Sequence, residues 1–162
     1  MPKRSAGILL FRHTPAGPEV LLVHPGGPFW AKKDAGAWSI PKGEVAEGED
    51  SLAAAKREFE EETGFGLGPR GPLVALGAFR QSSAKTVEVW ALEGDFDPSE
   101  LKSNTFLMQW PPKSGRMQEF SEVDRAAWFT RAEAGRKILK GQAAILEAFY
   151  SHLEHERARS KP

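Results

Sequence analysis

The stretch Gly43 to Phe65, GEVAEGEDSLAAAKREFEEETGF, constrains this chain more than any other. It predicts a helix over Ser51–Thr63. Asp50 or Ser51 accepts hydrogen bonds from the free amides of the first turn, and Gly64 supplies the C-terminal stop. Leu52, Ala55 and Phe59 fall at i, i+3 and i+7, one narrow apolar stripe that has to be buried. Glu58, Glu61 and Glu62 fall at i, i+3 and i+4, so three carboxylates share one face. Like charges at that spacing destabilise an isolated helix by about 0.2–0.5 kcal/mol per pair. A solvated acidic face is the ordinary outcome of such a charge run. A divalent-cation site instead turns the cost into a use, because hard Mg²⁺ takes oxygen ligands, typically about one or two carboxylates with waters and substrate phosphates. Glu49 lies near the helix start, where a carboxylate complements the dipole. Arg57 has Glu61 one turn on and is placed to hold that carboxylate, and the glycines at 43 and 48 let the preceding loop bend sharply.

Charge outside the stretch completes the picture. The 162 residues carry 22 Lys+Arg against 22 Asp+Glu, a net charge of zero. Residues 43–65 alone hold eight acidic and two basic side chains, so the rest of the chain is basic by the same margin. Global neutrality argues against a polybasic coat for extended nucleic acid. It is compatible with a protein that recruits metal first and an anionic ligand through it. Cysteine is absent, which excludes disulfides, thiolate zinc sites and a cysteine nucleophile. The longest apolar run, Gly7 to Phe11, is far below the ~20 residues of a membrane helix. With no signal-peptide core after Met1, a cytoplasmic protein with no membrane partner is expected. Its oligomeric state, monomer or homodimer, is left open.

The length suits a single domain over residues 1–162. Ala6 to Phe11 and Glu19 to His24 read as hairpin strands around the turn Thr14–Pro18. A loop from Pro25 to about Gly36 carries Phe29, Trp30, Lys32 and Lys33. Strands are expected at 72–80 and 85–93, at 106–110 and at 123–129, with loops at 81–84 and 111–115. Residues 131–139 and 142–155 read as a helical pair, and the tail from about 156 to 162 as charged and frayed. His13, His24, His152 and His155 show no metal-ligand spacing, and Ser82 and Ser83 have no nucleophile context.

The 43–65 register resembles the signature of the Nudix family without a departure. It has Gly43, then Glu49 after five residues, Arg57-Glu58 after seven more, Phe59, Glu61-Glu62, Gly64 and Phe65. The preceding Trp38-Ser39-Ile40-Pro41-Lys42-Gly43 is similar to that of nucleoside-polyphosphate members, and the resemblance covers about residues 4 to 150. It implies an α+β fold, an α/β/α sandwich with a mixed sheet in which the box forms a loop–helix–loop. It also implies a phosphoanhydride hydrolase that attacks phosphorus with water, using Mg²⁺ or Mn²⁺. By position, Glu58, Glu61 and Glu62 are metal ligands together with the carbonyl of Gly43. Glu58 or Glu61 orients or deprotonates the water, while Glu49 and Arg57 orient the ligands. A late-chain glutamate often adds a ligand or base in relatives, and Glu119 is the candidate, with Glu122 its rival.

Lys42, Arg4 and Lys85 are candidate phosphate contacts. Trp38, Trp30 and Phe29 are candidates for stacking on a base, which is worth about 1–3 kcal/mol per base. The substrate expected is a nucleoside polyphosphate, dinucleoside polyphosphates included. A (d)NTP or nucleotide-sugar pyrophosphatase is the alternative; a 5′-RNA pyrophosphohydrolase or a silent nucleotide-binding module ranks lower. The only tyrosine, Tyr150, is a departure from the adenine-stacking tyrosines usual in dinucleoside polyphosphate hydrolases.

Overall fold

The computed structural model describes residues 3–67 and 71–160. Strands β1 (Lys3–Thr14) and β2 (Gly17–Pro25) form the expected hairpin, with Phe11 opposite Val20 and Thr14 opposite Gly17. A three-residue strand, β3 (Lys42–Glu44), pairs antiparallel with the start of β1, and helix α1 (Ser51–Thr63) follows. Then come β4 (Leu73–Ser82), β5 (Lys85–Glu93), β6 (Thr105–Gln109), β7 (Met117–Ser121) and β8 (Val123–Thr130). Helices α2 (Arg131–Lys137) and α3 (Ala143–Ser160) end the chain. The main sheet runs β4-β5-β1-β2-β8, with β1 and β5 parallel and the remaining pairs antiparallel.

The apolar run of β1 reflects burial on both faces, the situation in which a strand loses its polar alternation. Ala6, Ile8 and Leu10 pack with Ala54, Ala55 and Phe59 of α1 on one side. Leu9 and Phe11 pack with Ile145, Leu146 and Phe149 of α3 on the other. Together they make the α/β/α sandwich with a mixed sheet. The buried stripe of α1 is Ala54, Ala55, Phe59 and Thr63, with Leu52 only half-buried, so it sits slightly round the helix from the stripe expected.

Four segments differ from expectation, the short strand β3 being one. Residues 117–121 are a strand, β7, which forms a separate hairpin with β6. The first C-terminal helix stops at Lys137, where Ile138 turns extended and its N–H still donates to Ala134. Helix α3 continues through Arg159, across the segment expected to fray. No helix among the described residues is long and apolar enough to cross a membrane.

Candidate active site

Helix α1 is fixed at both ends. The Asp50 side chain accepts from Ala53 N–H at 3.1 Å, and Gly64 adopts φ 75° while its N–H donates to Glu60 O at 2.8 Å. The carboxylate face thereby points at β3. Gly43 carries no side chain there for a steric reason: a Cβ would lie 2.0 Å from Glu58 Cδ. Across from the helix C-terminus, Asn104 N–H donates to Glu61 O, and Glu122 N–H donates to Asn104 O, both at 2.8 Å. This chain of backbone bonds brings the β7–β8 junction to the last turn of α1.

Arg57 organises the carboxylates. Its Nε and Nη2 grip both oxygens of Glu49 at 2.9 and 3.0 Å, the bidentate geometry that makes such pairs strong. Nη1 donates to Glu58 at 2.8 Å and reaches Glu61 at 3.3 Å, and Nη2 also donates to the Glu44 carbonyl at 3.2 Å. Hydrogen bonds from Arg57 and from Ala46 N–H hold the Glu49 carboxyl down to about 2. One guanidinium thus ties together Glu58, Glu61 and Glu49, more than the single Glu61 contact the spacing suggests.

The opposite holds deeper in the site. Burial pushes the Glu62 carboxyl up to about 8, against the attraction of the Lys42 ammonium and a 3.3 Å hydrogen bond from Lys42 N–H. Burial also raises Glu58, and raises Glu122 with help from the charge of Glu61. Lys42 is lowered, chiefly by burial and partly by the charge of Lys85. Carboxyls driven toward neutrality in one cluster are carboxyls short of positive charge. That deficit, and a donor set made only of hard oxygens, fits a divalent cation. Among the described residues no three acidic or histidine side chains already converge at ligand geometry, because Glu58 and Glu61 are turned toward Arg57.

Lys42, Glu62 and Glu122 share a cleft of about 160 Å³ with Trp30. Arg4 lies at the opposite end of the box helix, donating to Ser51 Oγ at 2.8 Å, and Lys85 is exposed at the start of β5. Glu119 is exposed on β7, paired in register with Leu107. Its neighbour in sequence, Glu122, is the residue whose charge reaches Glu58, Glu61 and Glu62. Trp38 lies in the core, 5% exposed, with its indole N–H donating to Asp34 at 2.8 Å, and it does not line this cleft. The Lys42–Glu62 pairing is a feature the sequence signals only weakly, through a lysine directly before the box.

Fold and site together define a class: α+β domains in which a loop–helix–loop offers a carboxylate cluster beside the end of a mixed sheet. The chain belongs to the Nudix family; the NUDIX domain profile matches residues 1–151. It is 34% identical over 102 residues to Nudix hydrolase 7 of Arabidopsis thaliana, covering 58% of this chain and 34% of that protein. It is also 34% identical over 119 residues to the mRNA-decapping protein g5R of African swine fever virus, covering 68% of this chain and 43% of that one. The chain therefore spans less than half the length of these curated relatives. Among solved structures it resembles a Caenorhabditis elegans Ap4A hydrolase in binary complex, at 22% identity and a TM-score of 0.64 over 94% of this chain and 98% of that one.

Proposed function

We propose that this chain hydrolyses a pyrophosphate bond in a nucleoside polyphosphate, dinucleoside polyphosphates included, with Mg²⁺ or Mn²⁺ as cofactor. The observation that carries the proposal is the carboxylate cluster beside Gly43: burial drives up the carboxyls of Glu58, Glu62 and Glu122, Glu61 adds its charge to theirs, and only Arg57 and Lys42 partly balance them. Glu58, Glu61, Glu62 and the Gly43 carbonyl would hold the cation, which would screen phosphate charge and lower the pKa of water beside it.

The remaining chemistry belongs to the chain. Arg57, clamped by Glu49, hydrogen-bonds both Glu58 and Glu61 and so keeps the two carboxylates together beside β3. One carboxylate of the cluster accepts the proton of the attacking water as its oxygen bonds to phosphorus and the bond to the leaving phosphate breaks. Glu58 and Glu61 stand for that role, and Glu122, facing Glu61, is better placed than Glu119 to join them. The Lys42 ammonium, with Lys85 near enough to depress it, meets the phosphate oxygens. Arg4, hydrogen-bonded to Ser51 at the start of α1, is a more distant phosphate contact.

A panel with products identified tests this. It comprises dinucleoside polyphosphates, (d)NTPs, a nucleotide sugar and a 5′-triphosphorylated oligoribonucleotide, run in H₂¹⁸O with Mg²⁺ or Mn²⁺. Metal-dependent cleavage of a dinucleoside or nucleoside polyphosphate is expected, and the labelled product identifies the phosphorus attacked. The C. elegans Ap4A hydrolase and the viral decapping protein motivate the first and last arms. Failure of both metals to support turnover on every substrate overturns the proposal.

Cation binding also has a pH signature. A carboxyl raised to about 8 has to release its proton before it can bind metal. Mn²⁺ affinity is therefore expected to rise with pH up to about 8 and then level. Two pH units below that value, one proton of competition weakens binding by about 100-fold. Paramagnetic titration of Mn²⁺ at pH 6 and pH 8.5 measures this, and equal affinities would be inconsistent with Glu62 as a ligand.

A further inference from the structure

Three aromatic residues stand in or beside the loop between β2 and β3, and the structure separates their roles. Trp38 is buried against Phe129 and His24, with ring centroids 5.0 and 5.2 Å away. Phe29 is exposed and faces Trp110 of the β6–β7 hairpin at 5.5 Å. Trp30 alone of the three lines the cleft that holds Lys42, Glu62 and Glu122. It is half-buried and packs against the core, and the Lys33 ammonium lies over its ring, 5.3 Å from the centroid, a flexible side chain that a stacked base displaces.

A buried histidine that the proposed chemistry does not use holds the Trp30–Lys33 part of the loop, while Asp34 and Gly36 are tied to Lys137 and Arg136. His24, fully buried on β2, has Nε2 2.6 Å from the Lys33 carbonyl oxygen and Nδ1 2.8 Å from Asp124 Oδ1 on β8. Lys33 N–H in turn donates to the Trp30 carbonyl at 3.0 Å. One side chain thus connects the sheet, through Lys33, to the turn that presents Trp30. Arg125 flanks the His24–Asp124 pair, with its Nε 3.6 Å from Asp124 and its guanidinium over the Trp38 ring.

We infer that Trp30 is the platform on which the base of the nucleotide stacks, and that His24 is the positioning residue that holds it over the carboxylate site. This rests on the proposed function. Aromatic faces bind bases tolerantly, so the platform adds affinity for a nucleoside without selecting strongly among bases. A polyphosphate lacking a base gains nothing from it.

Equilibrium binding to the Mg²⁺-loaded protein separates the two ligand classes. The probes are adenosine 5′-(β,γ-imido)triphosphate and inorganic tripolyphosphate. Trp30→Ala is expected to raise Kd for the nucleotide about tenfold, to leave tripolyphosphate within twofold, and to be largely rescued by Trp30→Phe. His24→Asn is expected to reproduce the selective loss and to speed amide hydrogen exchange at 30–36. Asp124→Asn, at a half-exposed position where folding is not at stake, is expected to move both readouts the same way by less.

Equal loss for both ligands, or no loss of nucleotide binding in Trp30→Ala, overturns the platform. Unchanged loop exchange in His24→Asn and Asp124→Asn overturns the anchor. Wild-type protein that binds nucleotide selectively but turns nothing over overturns only the proposed function. Protein that binds neither probe overturns both.

Discussion

Glu62→Gln is expected to lower turnover by about a hundred- to a thousandfold while the protein stays folded. A cation ligand contributes several kcal/mol to the stabilisation of transition-state charge, and 1.36 kcal/mol corresponds to tenfold in rate. The substitution removes the charge but keeps the shape. It also keeps a carbonyl oxygen to accept from Lys42 N–H, now 3.3 Å from Glu62. Burial disfavours the ionised carboxylate, as its elevation to about 8 shows, so a neutral amide meets no new penalty at this position. The melting temperature of the metal-free variant at pH 8 is therefore expected to be no lower than that of wild type. Steady-state kinetics with Mn²⁺ and a thermal melt on the same preparation decide it. Undiminished kcat removes Glu62 from the site, and a parallel fall in melting temperature traces the loss to unfolding instead.

How much of this was legible in the sequence follows from where each residue gets its information. The box helix was readable because its signals are local: a cap at Asp50, a stop at Gly64 and a carboxylate period of three and four residues. The two faces of β1 were readable as an unbroken apolar run. Strand β7 was not, because Met117, Gln118, Glu119 and Ser121 are all exposed and show no alternation for burial to impose. That same blindness affects the choice between Glu119 and Glu122. Only the backbone bonds linking Glu61, Asn104 and Glu122 say which glutamate turns toward the box, and those span long separations in the chain. Trp38 illustrates the converse: a tryptophan before a box reads equally well as ligand contact or core, and here neighbouring Phe129 and His24 make it core. Strand β3, at three residues, is too short to carry a periodic signal and exists because β1 offers it a partner.

Gly43→Ala is expected to cost activity far more than stability, because the added methyl meets only the carboxylate end of Glu58, a proposed ligand. Gly43 is not among the glycines with positive φ, so its backbone is one that alanine also adopts. What forbids the methyl is space. The added carbon would sit 2.0 Å from Glu58 Cδ and 2.1 Å from its Oε2, where real atoms do not approach. Either Glu58 leaves the 2.8 Å bond with Arg57, or β3 shifts off β1, where Gly43 pairs with Ala6. Both displace a proposed ligand, and the second also moves the Gly43 carbonyl. Turning a side-chain end aside costs little stability, but it misplaces a proposed ligand, and kcat is expected to fall about a hundredfold or more. Gly48→Ala is the matched control. Gly48 has φ 78° and, chain neighbours aside, nothing within 4 Å of an added Cβ, so alanine there meets strain of about 1–2 kcal/mol and leaves the approach of residue 43 to Glu58 untouched. Its stability is expected to drop while kcat stays within a fewfold of wild type. If the two variants lose activity equally, close approach of Gly43 to Glu58 is not what the site requires; if only Gly43→Ala loses it, the bare backbone at 43 is part of the machinery.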